Sequence, residues 1–223
     1  MKILALEFSS SQRSVAVVIP EAKHIGPPDM AEVVETRTTA AKPFEMIEAA
    51  LRQARIEREQ IECVAVGLGP GSYNGIRSAI AIAQGWQLAA GTKLVGISAV
   101  ACLLAQAPED GLTGRIHVVI DAQRTEFYLA TFEIDSDPPN IREIASLRIV
   151  DRKTVDAVAA SGEQIIGPEV RKWFAVGRDV FPRAAVIGRL ASSKQDFVSG
   201  DRLEPIYLRE TSFVKAPPAR KSP

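Results

Sequence analysis

Two groups of residues in this chain have the types and spacing to do chemistry. The first is Gly69-Pro70-Gly71-Ser72-Tyr73-Asn74-Gly75-Ile76-Arg77, where Gly69, Gly71 and Gly75 permit a tight turn and Ser72 and Arg77 add a hydroxyl and a cation. A glycine-rich loop that opens a helix presents free N–H groups to an anion. The same glycines also let a helix lie close to a sheet, and the sequence leaves both readings open. The loop has no Gly-Lys-Ser/Thr ending, and no acidic residue for a ribose occurs from Lys93 to Ser98, so neither a P-loop nor a dinucleotide fingerprint fits. The second group is Glu7 and Asp121, each placed where an apolar strand runs into a polar turn. Facing one cleft, such carboxylates hold a cation or a phosphate-bound water; alone, they bond the N–H groups of their own turns. Other chemistries find no residues. Only His24 and His117 are present, with Cys63 and Cys102, which excludes a His-rich metal site and a disulfide scaffold, and Gly-x-Ser-x-Gly is absent. The expectation is no catalytic set and no metal site.

The elements that must position these residues follow from periodicity. Ile3 to Leu6 and Val15 to Ile19 read as a hairpin, Ala31 to Thr38 as a third strand, and Pro43 starts a helix with Phe44, Ile47, Ala50, Leu51 and Ala54 at helical spacing. Ile61 to Val66 reads as a buried strand, Gly67 to Gly75 as the glycine loop, Ile76 to Ala90 as a helix, Leu94 to Ile97 as a strand, and Ser98 as the cap of a helix over Ala99 to Ala105. After the polar break at Pro108 to Gly114 the opening grammar returns. Ile116 to Ile120 ends in Asp121, a polar turn follows, and Phe127 to Phe132 forms a second strand, which reads either as an internal duplication or as two hairpins that merely look alike. Ser146 to Val150 and Gln164 to Ile166 read as strands, and Asp151 to Ala160 and Arg183 to Ser192 as helices. The expected organisation is an N-terminal lobe over 1–107, a C-terminal lobe over 108–213 whose last segment returns to the first, and a disordered tail over 214–223.

Ile76 to Ala90 is apolar almost all round, so one side needs a cover beyond its own sheet. Ala81 and Gly85, four apart, permit close approach of another helix. Composition narrows the partners: 223 residues with 27 Lys+Arg and 27 Asp+Glu carry no net charge, which argues against gripping nucleic acid alone. The interrupted N-terminal apolar run and the absence of a bilayer-length apolar stretch point to a cytoplasmic protein with no membrane partner.

Leu4-Ala5-Leu6-Glu7-Phe8-Ser9-Ser10, the Gly69-to-Arg77 loop, Gly96-Ile97-Ser98, Val119-Ile120-Asp121-Ala122-Gln123-Arg124 and Pro205-Ile206-Tyr207-Leu208-Arg209 resemble, in this order and over nearly the whole chain, the TsaB (YeaZ) family of tRNA threonylcarbamoyladenosine biosynthesis. The resemblance implies an α/β, actin-like and sugar-kinase-like fold of two related lobes, each a mixed sheet with helices. It implies a non-catalytic partner of a TsaD-like transferase, helped by a TsaE-like ATPase. It also implies a homodimer when alone and contact with tRNA only through the complex. No cofactor is expected, a nucleotide having a place only at the partner interface, with Glu7 and Asp121 as the candidate nucleotide-facing carboxylates. The partner surface would be the two N-lobe helices, through Phe44, Ile47, Leu51, Ile76, Ile80 and Ala83. The chain departs from the family in carrying Glu7 for the usual Asp, Tyr73-Asn74 for Phe-Thr, and Phe8-Ser9 where an ATPase has its phosphate turn. The His-x-x-x-His pair of the catalytic paralogue is absent. An ATP-dependent small-molecule kinase of the same fold, and a glycoprotease-like peptidase, are the alternatives.

Overall fold

The computed structural model describes residues 1–20, 29–36, 42–136 and 139–208. The expectations for His24, for the Gly26 to Pro28 loop, for Arg209 and for the 214–223 tail lie outside the described residues. Each half of the chain builds one five-stranded sheet. The first runs β3-β2-β1-β4-β5, from β1 (Ile3–Glu7), β2 (Gln12–Val18), β3 (Met30–Thr36), β4 (Cys63–Gly67) and β5 (Lys93–Ile97). The second runs β10-β9-β6-β7-β8, from β6 (Gly114–Asp121), β7 (Glu126–Ser136), β8 (Pro139–Asp151), β9 (Gln164–Gly167) and β10 (Arg178–Asp179). In both, three antiparallel strands are followed by two parallel ones added on the other side of the first strand. The repeated strand–carboxylate–turn–strand grammar therefore extends to the wiring of whole sheets.

Helix ends obey the local rules. In α1 (Pro43–Ala54), Pro43 occupies the first turn, where its missing N–H costs nothing. Its face of Met46, Ile47, Ala50, Leu51 and Ala54 is buried, and Arg55 ends it in the left-handed conformation. In α2 (Tyr73–Ala90) the Ser72 hydroxyl accepts the Gly75 N–H at 3.3 Å, so the helix begins three residues before the expected Ile76. Ser98 caps α3 (Ala99–Gln106) through the Ala101 N–H at 3.0 Å, as its type predicts. Asp151 does the same for α4 (Arg152–Ala160) through Thr154. The strand expected over Ser146 to Val150 is part of the much longer β8. As an edge strand with mostly exposed side chains, its first half lacks the apolar alternation that marks a buried strand.

Helices tie the lobes together by crossing between them. Val100, Leu103 and Leu104 of α3 pack with Ile116, Val118 and Tyr128 of the second sheet. In return, Ala184, Ile187 and Ala191 of α5 (Ala184–Ser192) pack with Ile3, Ala5 and Ala16 of the first. The N-terminus of α5 has no cap of its own. The Ser14 hydroxyl accepts the Ala184 N–H at 2.8 Å, and the Glu32 carboxylate accepts the Ala185 N–H at 3.0 Å while pairing with Arg183. After α5 the chain straps the first lobe: Val198 bonds Leu94, Gly200 bonds Gln84 and Gln87 on α2, Leu203 enters the core, and the Ile206 N–H reaches Leu68. Among the described residues no helix is long and apolar enough to cross a membrane.

Candidate partner groove and inter-lobe cleft

Two cavities border some of the residues singled out by sequence. The first, of about 430 Å³, lies between the lobes. Its walls are the β1–β2 turn (Ser9, Ser10, Ser11), the glycine loop (Gly71 to Asn74), the β6–β7 turn (Asp121, Gln123) and Glu169. Among the described residues no lysine or arginine lines it, and its two carboxylates repel a bare phosphate. The glycines are required by close approach: a Cβ on Gly71 would strike the Ser9 carbonyl oxygen, one on Gly75 that of Phe8, and Gly71 also has a positive φ of 151°. The Ser72 N–H donates to the Ser9 carbonyl at 2.7 Å, closing the loop onto the β1–β2 turn. Arg77 lies over the Tyr73 ring at 4.2 Å rather than on the cleft wall, and Tyr73 stacks on Tyr207 of the strap at 5.6 Å.

The two carboxylates part company. Asp121 stands on the cleft wall and accepts the Gln123 N–H at 2.7 Å. Glu7 is fully buried; one oxygen accepts the Ser9 N–H at 2.6 Å and the other has no partner. That oxygen fills the space a Cβ on Gly67 would need. Burial pushes the Glu7 carboxyl up to about 7, against the opposing pull of the Ser9 hydrogen bond. The structure thus does not bring Glu7 and Asp121 onto one wall. The Glu7 side chain lies against Gly67, the last residue of β4, and does not line the cleft.

The second cavity, of about 780 Å³, is a groove between α1 and α2. Pro43, Phe44, Ala81, Ile82, Gly85, Trp86 and Ala89 line it, with Arg58 and Glu59 at its rim. Of the six expected interface residues, only Phe44 is exposed, at 67%. Ile47 touches the groove floor, but Ile47, Leu51, Ile76, Ile80 and Ala83 are buried in the lobe's own core. They mark the sheet-facing side of the helices, because helical periodicity alone does not say which of two apolar stripes the sheet takes. The open stripe carries Ala81, Gly85 and Ala89 beside Leu88, 90% exposed, and the small Ala81/Gly85 pair was its signal in the sequence. The Tyr73–Tyr207 stack had none, since it joins residues far apart along the chain.

A family model described as TsaD, tRNA N6-adenosine threonylcarbamoyltransferase, matches residues 37–185, two thirds of the chain. The chain is 26% identical to a tRNA threonylcarbamoyladenosine biosynthesis protein TsaB from Haemophilus influenzae, over 99% of both chains. It is 32% identical to the TsaB of Escherichia coli K12 over 41% of this chain and 40% of that one. The solved structure of YeaZ from Pseudomonas aeruginosa superposes with a TM-score of 0.74 over 93% of this chain and 99% of that one; at 22% identity, this shows the fold. The two mixed sheets with crossing helices are thus the actin-like, sugar-kinase-like two-lobe α/β arrangement. With model, relatives and fold agreeing, the chain belongs to the family that this model describes, on its TsaB (YeaZ) branch.

Proposed function

We propose that this chain serves tRNA threonylcarbamoyladenosine biosynthesis as a non-catalytic partner, lending the α1/α2 groove to a TsaD-like transferase. Family membership supports the role in that pathway. The observation that carries the partner reading is the groove itself. It is an apolar trough of about 780 Å³, lined by exposed Phe44 and by Ile82 and Trp86, with Ala81, Gly85 and Ala89 small enough for a second helix to approach closely. The strap seals one flank of α2, through Gln84 and Gln87, and leaves the other open. The missing His-x-x-x-His pair and the burial of Glu7 away from the cleft support a role without chemistry of its own. In the same reading a second copy occupies the groove when the transferase is absent, and a TsaE-like ATPase and tRNA join through the assembled pair.

The test is Ala81→Arg, an exposed position whose change leaves the core intact. Co-purification with the transferase should fall at least tenfold, because an unpaired charge would be buried in the joint. Nucleosides from cells that carry only this variant should lose threonylcarbamoyladenosine. Undiminished pairing, or undiminished modified nucleoside, would refute the reading.

A further inference from the structure

A cluster of cations gathers around one indole on the second lobe, far in sequence from the groove. Arg152 and Lys153 open α4, and Arg171 and Lys172 lie in the 3₁₀ turn Val170–Lys172 that leads into Trp173. Tertiary packing brings these segments together. The Arg152 guanidinium donates to the Trp173 carbonyl at 3.4 Å and lies 5.8 Å from the Phe174 ring, while the Lys172 ammonium stands 5.1 Å from the Trp173 ring. Phe127, packed edge-on at 5.7 Å, holds the indole in a half-buried position. Three of the nearby carboxylates are already committed: Asp151 caps α4 through Thr154, Asp156 pairs with Arg152, and Asp179 accepts the Arg171 N–H. Lys153, Arg171 and Lys172 are exposed and form no salt bridge among the described residues.

We propose that this patch contacts RNA, the cations meeting backbone phosphates and Trp173 offering a face to a base. The inference rests on the reading of the chain as a tRNA-modification partner. Unpaired cations spaced around an aromatic ring match a polyanion that also carries flat apolar faces. RNA carries a phosphate and a flat base at every step, whereas an acidic protein surface pairs charge with a ring only where an aromatic residue lies beside its carboxylates. The zero net charge of the chain fits a contact that is weak alone and contributes within an assembly.

The probe is a fluorescent anticodon stem-loop RNA titrated with the full chain across a salt series. Binding should weaken as salt rises. Lys153→Ala/Arg171→Ala/Lys172→Ala should weaken it about tenfold or more and flatten the log–log salt slope by about 2, at roughly 0.7 for each phosphate left unneutralised on a single strand. Lys153→Glu/Lys172→Glu, at exposed positions outside the core, should abolish it, with circular dichroism confirming the fold. In a Trp86→Phe background, the RNA should quench the emission of Trp173. Absent binding by the wild type, unchanged affinity in the charge variants, equal competition by poly-glutamate, or unquenched emission at saturation would each overturn the proposal. Ala81→Arg separates the two readings. It should lose the transferase yet keep the RNA, whereas the charge variants should keep the transferase and lose the RNA.

Discussion

Between β4 and β5 the first lobe inserts α2, eighteen residues long. Between β9 and β10, the same place in the second sheet, there is a single 3₁₀ turn, Val170–Lys172. The sheets are wired alike, so the difference lies in what each lobe carries on its outer face. The long helix has more apolar surface than its own sheet can cover, and the remainder forms a groove with α1. The short turn buries only Val170, with Phe174 and Phe127 closing the space behind it, and leaves its cations in solvent. One duplicated framework thus presents an apolar surface on one lobe and a charged, aromatic one on the other. The two strand-end carboxylates repeat the contrast, since half-buried Asp121 stands on the cleft wall and Glu7 is fully buried.

The largest effect should come from confusing the two stripes of α2. Ile80→Glu places a carboxylate in the first lobe's core and should cost about 4 kcal/mol or more, seen as loss of the cooperative melting transition. Next is Glu7. Its folded carboxyl titrates near 7, above an ordinary value of 4.5, so the folded state holds the proton more tightly than the unfolded chain. The contribution of Glu7 to stability is therefore greatest below about 4.5, falls as pH rises towards 7, and levels off above it, a total change of about 3 kcal/mol at 1.36 kcal/mol per unit. Glu7→Gln should flatten this dependence and raise the melting temperature at pH 8.5 relative to wild type. Equal pH profiles would show that burial does not raise the Glu7 carboxyl.

Third is the tie between lobes. Glu32→Ala removes both the cap of α5 and the partner of Arg183, and should cost about 2 kcal/mol in chemical denaturation. If the lobes were independent, only the first would respond. The smallest stability effect belongs to Leu88→Glu, within about 0.5 kcal/mol because the side chain is already in water. Sedimentation should nevertheless show weaker self-association, and unchanged association would remove Leu88 from the joint.

Local rules carried far along this chain. Pro43 and Ser98 announced their helix ends because capping and proline effects act within one turn, while Asp151, read as the first helical residue, caps α4 instead. The hairpins at Glu7 and Asp121 were legible from β-branched runs and polar turns, and their repetition anticipated two sheets of one design. Ser72, acting as a cap, placed the start of α2 before Ile76, a shift of one turn that a glycine loop disguises.

What the sequence by itself determined was the set of elements, the need of α2 for a cover, and the family pattern. Which residues provide that cover was decided by tertiary structure. A helix apolar on two stripes offers the sheet either one, and only the packing of α2 on β4 assigned Ile76, Ile80 and Ala83 to the core and Ala81 and Gly85 to the surface. The crossing of α3 and α5, the strap over α2 and the cations around Trp173 are likewise contacts between residues distant in the chain. Periodicity records which faces are apolar; what those faces meet depends on how the whole chain closes on itself.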